Sequence, residues 1–126
     1  MRFSILLAIA LAGALGALVR YAVMEWTVRL WGSSLFYGTL AVNVAGCLLI
    51  GFLFHAKIGL STELRLILGS GFLGALTTFS AFGMETFAAA REGRVEAAVA
   101  NVAANLVLGL AAVALGYFLA GRLTAS

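Results

Sequence analysis

Three hydroxyl-bearing residues lie close together in the second half of an apolar run that is long enough to cross a membrane. The run covers residues 66–84, and its second half holds Thr77, Thr78 and Ser80. A polar group that has lost its water must find a hydrogen-bond partner inside the protein, because hydrocarbon offers none. Polar residues at that depth usually line a path or a site that the protein encloses. The segment therefore predicts a membrane protein that conducts a solute.

The composition supports a membrane-embedded chain and argues against nucleic-acid binding. Of the 126 residues, 63% are hydrophobic and 10% are charged, whereas a soluble domain carries about 25% charged residues. The net charge of +3 comes without a basic cluster that could follow a phosphate backbone. Cys47 is the single cysteine, so we interpret it as a small packing residue and not as half of a disulfide.

Four segments are long and apolar enough to be membrane spans, which need about 20 helical residues each. Arg20 is expected to mark the end of the first span and Glu85 the end of the third. The pattern predicts an all-α, multi-pass protein of four transmembrane helices, forming a single domain over residues 1–126. The four predicted spans are residues 3–19, 35–54, 66–84 and 97–119.

Positive charge is balanced between the two sides of the predicted bundle. Orientation in a membrane normally follows an excess of Lys and Arg on the cytoplasmic side, so a balance leaves the orientation undecided. The balance is either chance or the mark of dual topology, in which the same chain inserts both ways and pairs as an antiparallel dimer. One side holds Arg2, Lys57, Arg65 and Arg122, and the other holds Arg20, Arg29, Arg91 and Arg94.

Asparagines recur at helical spacing in two of the predicted spans. Asn43 lies one turn after Thr39 in the second span, and Asn101, Asn105 and Gly109 follow one another every four residues in the fourth. A single buried amide more often joins helices than binds a ligand. Two amides on the same face of one helix, together with Asn43 on another helix, indicate instead that these residues line a hydrated path.

The chemistry of this predicted path favours a small anion. Amides and hydroxyls can donate hydrogen bonds to an anion, and no charged residue lies in the middle of a predicted span, where a proton-coupled pump would need a titratable relay. Phe79 and Phe82 share a helical face. Such a pair ordinarily packs in a core, but the edges of its rings are electropositive and can also face an anion.

Alternatives remain open for the third span and for the charged residues at its borders. Gly74 and the hydroxyl-rich stretch could interrupt the helix and free backbone carbonyls, or Thr77 and Thr78 could bond back to the preceding turn of a continuous helix. Arg20 could concentrate anions at a vestibule or extend to lipid headgroups. Glu85 could pair with a basic residue or hold a helix end. Neither a catalytic pairing nor a transition-metal site is expected.

Several segments together resemble the Fluc (CrcB) family of microbial fluoride channels. They are GALGALVRY over residues 13–21, GTLAVNVAG over residues 38–46 and GFLGALTTFSAF over residues 71–82, followed by Glu85. The glycine-bearing last span is similar as well. The second and third segments in combination are specific to the family, whereas the first would be weak alone.

The resemblance implies a dual-topology antiparallel homodimer in the lipid bilayer, with a break in the third helix of each subunit and two fluoride pores. It implies passive export of F− through the cell's inner (plasma) membrane, which gives fluoride resistance. A sodium ion at the dimer centre would be held by the backbone carbonyls of Gly74 and Thr77, with Arg20 and Glu85 at the vestibule. The resemblance and the polar stripes together place these residues on the pathway: Thr39, Asn43, Thr78, Phe79, Ser80, Phe82, Asn101 and Asn105.

The chain departs from the family pattern in two places. Ala81 stands where the family has a hydroxyl after the serine, and Asn101 and Asn105 stand where it has a track of tyrosine and serine. Hydrogen-bond donors survive on the last span, and which asparagine faces the pore stays open.

Two other classes of membrane protein compete with a channel. A small dual-topology multidrug transporter needs a membrane-embedded carboxylate in an early span, and the first span has none. A non-conducting assembly subunit would tolerate Asn43→Ala, Phe79→Ala and Phe82→Ala and would show no ion flux.

Overall fold

The computed structural model describes residues 2–32 and 36–123, and all the regular structure in these two ranges is helical. A 3₁₀ turn, Ala56–Ile58, follows the second helix, and a π-helical segment, Ile67–Leu73, joins the third helix to the fourth. The α-helices are α1 (Phe3–Trp31), α2 (Tyr37–Leu53), α3 (Thr62–Leu66), α4 (Gly74–Leu76), α5 (Phe79–Arg91) and α6 (Val95–Leu123).

The helices support the predicted all-α membrane protein. By length and composition α1, the helical stretch Thr62–Arg91 and α6 are each apolar and long enough to cross a membrane, and α2 is a shorter apolar helix. The start of the predicted second span, Leu35, lies outside the described residues. Many large apolar side chains of α1 and α6 are exposed on the outside of the chain, as lipid or a partner helix would require.

The expectation that Arg20 lies at a helix end is wrong. α1 continues through Arg20 to Trp31 and ends at Gly32, whose φ of 80° lies in the left-handed region. A charged side chain does not end a helix by itself, whereas glycine adopts positive φ without strain. Arg20 is half-buried along α1, and its side chain makes no hydrogen bond or ion pair within residues 2–32 and 36–123.

Glu85 also lies inside a helix and not at its end, contrary to the expectation. Thr78 caps the start of α5, and Gly93, with a φ of 75°, follows its end. Glu85 therefore lies near the middle of α5. It accepts a hydrogen bond from the Thr39 hydroxyl, so its observed partner is a neutral group and not the basic residue that the sequence suggested.

Glycines let α2 and α6 cross with their backbones in contact. A side chain at Gly51 would overlap the carbonyl of Val113, and one at Gly116 would overlap the carbonyl of Leu48. Because both obstacles are backbone atoms, this end of the crossing tolerates no larger residue without moving a helix. We call Gly51, Gly116 and these two carbonyls the glycine crossing.

A second close approach holds α1 against the π-helical segment. Gly16 lies against the carbonyl of Phe72, and Gly71 lies against that of Ile9. The buried apolar core is centred on Val42, Leu73 and Leu76, with Val23, Ile50, Leu53 and Phe72 packed around it. The hydroxyl-rich stretch after Leu76 is thereby fixed between α1 and α2.

Candidate functional site

Two residues with extended backbone lie between α4 and α5, at the hydroxyl-rich stretch. Thr77 has φ −79° and ψ 152°, and Thr78 has φ −147° and ψ 111°. The helix resumes at Phe79, where the Thr78 hydroxyl accepts a hydrogen bond from the backbone N–H of Ala81 at 3.2 Å. Threonine at this position is a good N-cap, because its oxygen satisfies a donor that the first turn leaves free.

The extended residues change the partners of two backbone carbonyls. In an uninterrupted helix the carbonyl of Gly74 would accept from Thr78 N–H, and that of Thr77 would accept from Ala81 N–H. Thr78 N–H instead donates to Asn43 Oδ1 at 2.8 Å, and Ala81 N–H donates to the Thr78 hydroxyl. The carbonyls of Gly74 and Thr77 thus lose their helical donors, and Gly74 is exposed on the surface of the chain.

Asn43 of α2 binds the backbone of Thr78 on both sides of its amide. Its Oδ1 accepts from Thr78 N–H at 2.8 Å, and its Nδ2 donates to the Thr78 carbonyl at 3.3 Å. The Oδ1 contact replaces the hydrogen bond that Thr78 N–H would have made to Gly74 in a continuous helix, and the Nδ2 contact adds a second donor to the carbonyl of the N-cap residue. Gly46, one turn along α2, gives the room, because a side chain there would overlap the Thr77 methyl.

A chain of hydrogen bonds continues from Asn43 along α6 and back to α5. Asn43 Nδ2 donates to Asn105 Oδ1 at 3.0 Å, and Asn105 Nδ2 donates to the Oδ1 and the backbone carbonyl of Asn101 at 3.0 and 3.1 Å. Asn101 Nδ2 then donates to the Thr86 hydroxyl at 2.9 Å. We call Asn43, Asn105, Asn101 and Thr86 the amide seam; it joins α2, α6 and α5.

A cleft of about 350 Å³ opens beside one end of the seam. Phe79 is 82% exposed, and its ring centroid lies 5.3 Å from that of Phe82, with the two planes tilted by 52°. The hydroxyls of Thr78 and Ser80 are 3.3 Å apart. The polar and aromatic residues lining the cleft are Asn43, Thr77, Thr78, Phe79, Phe82 and Asn105, with Gly46, Cys47 and Gly74 among the small ones.

Thr39 and Glu85 lie in a separate depression of about 290 Å³, which also contains Glu92 and Arg94. The Thr39 hydroxyl, 1% exposed as a residue, donates to Glu85 Oε1 at 2.6 Å. The other carboxylate oxygen, Oε2, is buried and has no hydrogen-bond partner in the described part of the chain. A buried carboxylate oxygen without a hydrogen-bond partner costs free energy, so the Thr39 hydroxyl satisfies only half of this carboxylate.

The structure thus brings together some of the predicted residues and separates others. Asn43, Thr78, Phe79, Phe82 and Asn105 line one cleft, and Ser80 is next to it. Asn101 is buried behind Asn105 and is 2% exposed. Thr39 and Glu85 form their own pair, and Arg20 lines neither cavity.

Reasoning from sequence missed Thr86. Its hydroxyl donates to the carbonyl of Phe82 at 2.7 Å, one helical turn back, and accepts from Asn101. The spacing of four residues from Phe82 was a signal for the first contact. Nothing in the spacing indicates the second, because Asn101 belongs to another helix.

The chain matches the family model described as "CrcB-like protein, Camphor Resistance (CrcB)" over residues 7–117. That range includes every residue of the cleft and of the amide seam. The similarity therefore extends to the whole candidate site.

Curated relatives are similar over nearly their full length. A protein of Acidobacterium capsulatum named "Fluoride-specific ion channel FluC" is 45% identical over 120 residues, which are 93% of this chain and 96% of that protein. One of Rhizobium johnstonii with the same name is 45% identical over 111 residues, 86% and 89% of the two chains. One of Dehalococcoides mccartyi, again with that name, is 43% identical over 121 residues, 94% and 93%.

Proposed function

The chain belongs to the CrcB-like family and is a fluoride channel of the inner membrane, not an enzyme, and we propose that F− passes along the cleft beside the amide seam. The observation that carries this assignment of the pathway is the extended backbone at Thr77 and Thr78. Hydroxyls, an amide and two phenylalanine side chains surround one cleft there, within a span that is otherwise apolar.

The groups at this cleft suit a small anion that must exchange water for protein donors and still leave. The start of α5 presents the partial positive charge of a helix N-terminus, and Ser80 lies in its first turn beside the Thr78 hydroxyl. These donors are neutral, so they can replace the water around the anion without binding it as tightly as a fixed positive charge would.

Asn43 and the two phenylalanines complete the proposed lining. Both hydrogens of the Asn43 amide have protein acceptors, and the longer contact, 3.3 Å to the Thr78 carbonyl, is the one that an anion would replace. Phe79 and Phe82 would turn their electropositive edges to the ion, since their faces repel negative charge. Phe79 is exposed enough on the single chain to do so.

We propose passive export down the electrochemical gradient of F−. Fluoride that crosses the membrane as neutral HF from acid surroundings is trapped as the anion in a neutral cytoplasm, and a channel suffices to release it. The hydrogen-bonding groups of the cleft are uncharged, which fits conduction without proton transfer through the cleft itself.

A sodium ion is the proposed cofactor, and the backbone fits it. The carbonyls of Gly74 and Thr77 have lost their helical donors to Asn43 and to the Thr78 hydroxyl. Carbonyl oxygens freed at membrane depth are ligands for an alkali cation. The backbone carbonyls of Gly74 and Thr77 would be its ligands, and the bound ion would take the place of their lost N–H donors and hold two copies together.

We propose that the working unit is an antiparallel homodimer of dual topology. The four-to-four balance of Lys and Arg leaves a chain free to insert in either direction. The cleft also opens to the outside of the single chain, with Phe79 on its rim. A second copy covering that face would enclose the path.

Efflux from liposomes tests this function directly. Purified protein is reconstituted, and fluoride and chloride electrodes record release after the membrane potential is clamped with valinomycin. We expect rapid release of fluoride and none of chloride. Replacing sodium by lithium or potassium throughout purification should reduce fluoride efflux if the proposed cation site is correct.

Other results would favour the competing classes. No fluoride efflux, together with normal assembly of Asn43→Ala, Phe79→Ala and Phe82→Ala, would support a non-conducting assembly subunit. Proton-driven uptake of a cationic dye without fluoride efflux would support a multidrug transporter. Equal release of chloride and fluoride would contradict selectivity while leaving a channel.

A further inference from the structure

On the premise of the proposed function, we infer that Thr86 is a positioning residue that fixes the Asn43 amide from outside the cleft. Thr86 does not line the cleft. Among the described residues, the hydrogen bonds that join it to Asn43 run through Asn101 and Asn105, and Thr86 lies at the far end of the amide seam. The inference depends on the direction of each hydrogen bond along the seam.

The direction is set at Thr78, where one partner is a backbone donor. The oxygen and nitrogen of a side-chain amide cannot be told apart by shape, so their placement must follow from the hydrogen bonds. The atom of Asn43 at 2.8 Å from Thr78 N–H must accept, so it is Oδ1. The Asn43 Nδ2 then meets the Thr78 carbonyl, which can only accept.

The orientation passes from Asn43 to the next two asparagines. Asn43 Nδ2 is a donor, so the atom of Asn105 at 3.0 Å must be Oδ1. Asn105 Nδ2 then faces Asn101, where the backbone carbonyl and Oδ1 both accept. Asn101 must therefore direct its own Nδ2 away from Asn105 and towards α5.

Thr86 is where the chain of donors ends. Its hydroxyl accepts from Asn101 Nδ2 at 2.9 Å, so its single proton is free for the Phe82 carbonyl at 2.7 Å. The chain begins and ends on α5, at Thr78 N–H and Phe82 C=O, after crossing α2 and α6. Each link runs from a donor to an acceptor, and reversing any one would oppose two donors or two acceptors.

Thr86 thus supplies the acceptor that keeps Asn101 in place. Without it, Asn101 Nδ2 has no acceptor on α5 and Asn101 can turn, so Asn105 Nδ2 keeps the Asn101 backbone carbonyl but loses Asn101 Oδ1. With one of its two anchors gone, Asn105 holds its Oδ1 less firmly against Asn43 Nδ2, and Asn43 is less well fixed at the wall of the cleft. The loss at Thr86 would therefore reach an anion in the cleft about one helical turn away along α5, although Thr86 does not line the cleft.

Three substitutions test the role of Thr86. Thr86→Val keeps the shape and removes the acceptor, and we expect fluoride efflux to fall by about tenfold with dimer size and thermal midpoint unchanged. Thr86→Ser keeps the hydroxyl and should restore efflux to near the wild-type rate. Thr27→Val is the matched control: in the described part of the chain the Thr27 hydroxyl donates only to the Met24 carbonyl of its own helix, and Thr27 lines the Thr39–Glu85 depression and not the cleft, so efflux should stay unchanged.

A double-mutant cycle separates an effect through the seam from a local packing effect, because local packing at Thr86 would not couple its effect on efflux to that of Asn105. If Thr86 acts through the seam, Thr86→Val should reduce efflux of the Asn105→Leu protein no further, although the two side chains do not touch. Thr27→Val and Asn105→Leu should instead act independently. Should Thr86→Val fail to assemble, Thr86→Ala takes its place, since it lacks the acceptor without adding bulk.

Provided that the wild-type protein conducts fluoride, two results would overturn the inference. One is unchanged efflux in Thr86→Val, and the other is independent effects of Thr86→Val and Asn105→Leu. If the wild-type protein itself releases no fluoride, the proposed function fails first, and the two failures are distinguished by that control.

Discussion

The same two helices, α2 and α6, meet in two ways along their length. At the glycine crossing Gly51 and Gly116 bring backbone against backbone with no polar side chain between them. At the amide seam the helices are joined by Asn43 and Asn105, and a cleft opens next to them. The glycine crossing fixes the distance between the two helices, and the polar side chains of the seam lie in the gap between them.

The difference suggests that one end of the α2–α6 pair governs assembly of the protein and the other governs conduction. Changes at the glycine crossing should affect whether the protein assembles, since any added atom meets a carbonyl. Changes at the seam should affect what the assembled protein conducts, since its groups bond one another and the edge of the cleft.

The largest effect is expected at the glycine crossing. The double change Gly51→Ala and Gly116→Ala places methyl groups on the carbonyls of Val113 and Leu48, and overpacking of this kind costs about 1–3 kcal/mol per site. We expect little assembled protein, measured as the monodisperse fraction in size-exclusion chromatography and as a lower thermal midpoint in detergent.

Gly83→Ala is the matched control for the glycine crossing. Gly83 lies within α5 with open space around it, so alanine should stabilise the helix by about 0.5–1 kcal/mol. A double glycine variant as stable as wild type would show that the crossing is not tight.

The second effect is at the seam itself. Asn105→Leu removes the acceptor of Asn43 and the donor to Asn101 together, leaving buried polar groups unpaired at a cost of about 1–3 kcal/mol. We expect protein that still assembles but whose fluoride efflux falls by about tenfold or more.

Leu106→Ala is a control for Asn105→Leu, because Leu106 is the next residue on α6 and is an apolar residue at the rim of the cleft. Its efflux should stay within about threefold of wild type. If Asn105→Leu and Leu106→Ala reduced fluoride efflux equally, the effect of Asn105 would come from filling space beside the cleft and not from its hydrogen bonds.

A smaller effect is expected from Thr39→Val. It removes the hydroxyl that donates to Glu85 Oε1, in a depression separate from the cleft. We expect efflux to fall by about two- to fivefold, less than in Asn105→Leu, because the pair is not joined to the seam. A loss as large as that of Asn105→Leu would place the pair on the fluoride route.

The smallest effect is expected from Arg20→Gln. Arg20 lines neither cavity, so its charge can act on an approaching anion only at a distance, which salt screens within about 10 Å at 0.1 M. Efflux should fall by less than about twofold and only at low ionic strength. A loss that persists at high salt would show a direct contact with the ion.

Much of the fold could be predicted from sequence because apolar runs of helical length are easily recognised. Their ends could not, since Arg20 and Glu85 were interpreted as borders. Charged side chains remain compatible with a helix, and the ends are set by Gly32 and Gly93. The π-helical segment Ile67–Leu73, which packs closely against α1, had no signal in the pattern.

The candidate site was predictable in its residue types but not in its connections. The hydroxyls, asparagines and phenylalanines stood out because polar or paired aromatic groups are unusual at those positions. Thr86 did not stand out, since a threonine bonding back along its own helix is ordinary. Its contact with Asn101 arises only when α5 and α6 pack together.

The central claim is that fluoride passes along the phenylalanine rings at the cleft, so that only phenylalanines at this position are needed for conduction. Phe82→Ile and Phe87→Ile make the same change on the same helix, inside the cleft and outside it. We predict that Phe82→Ile assembles normally but loses at least about tenfold in fluoride efflux from liposomes, while Phe87→Ile conducts like wild type. Equal efflux from the two variants would contradict the account.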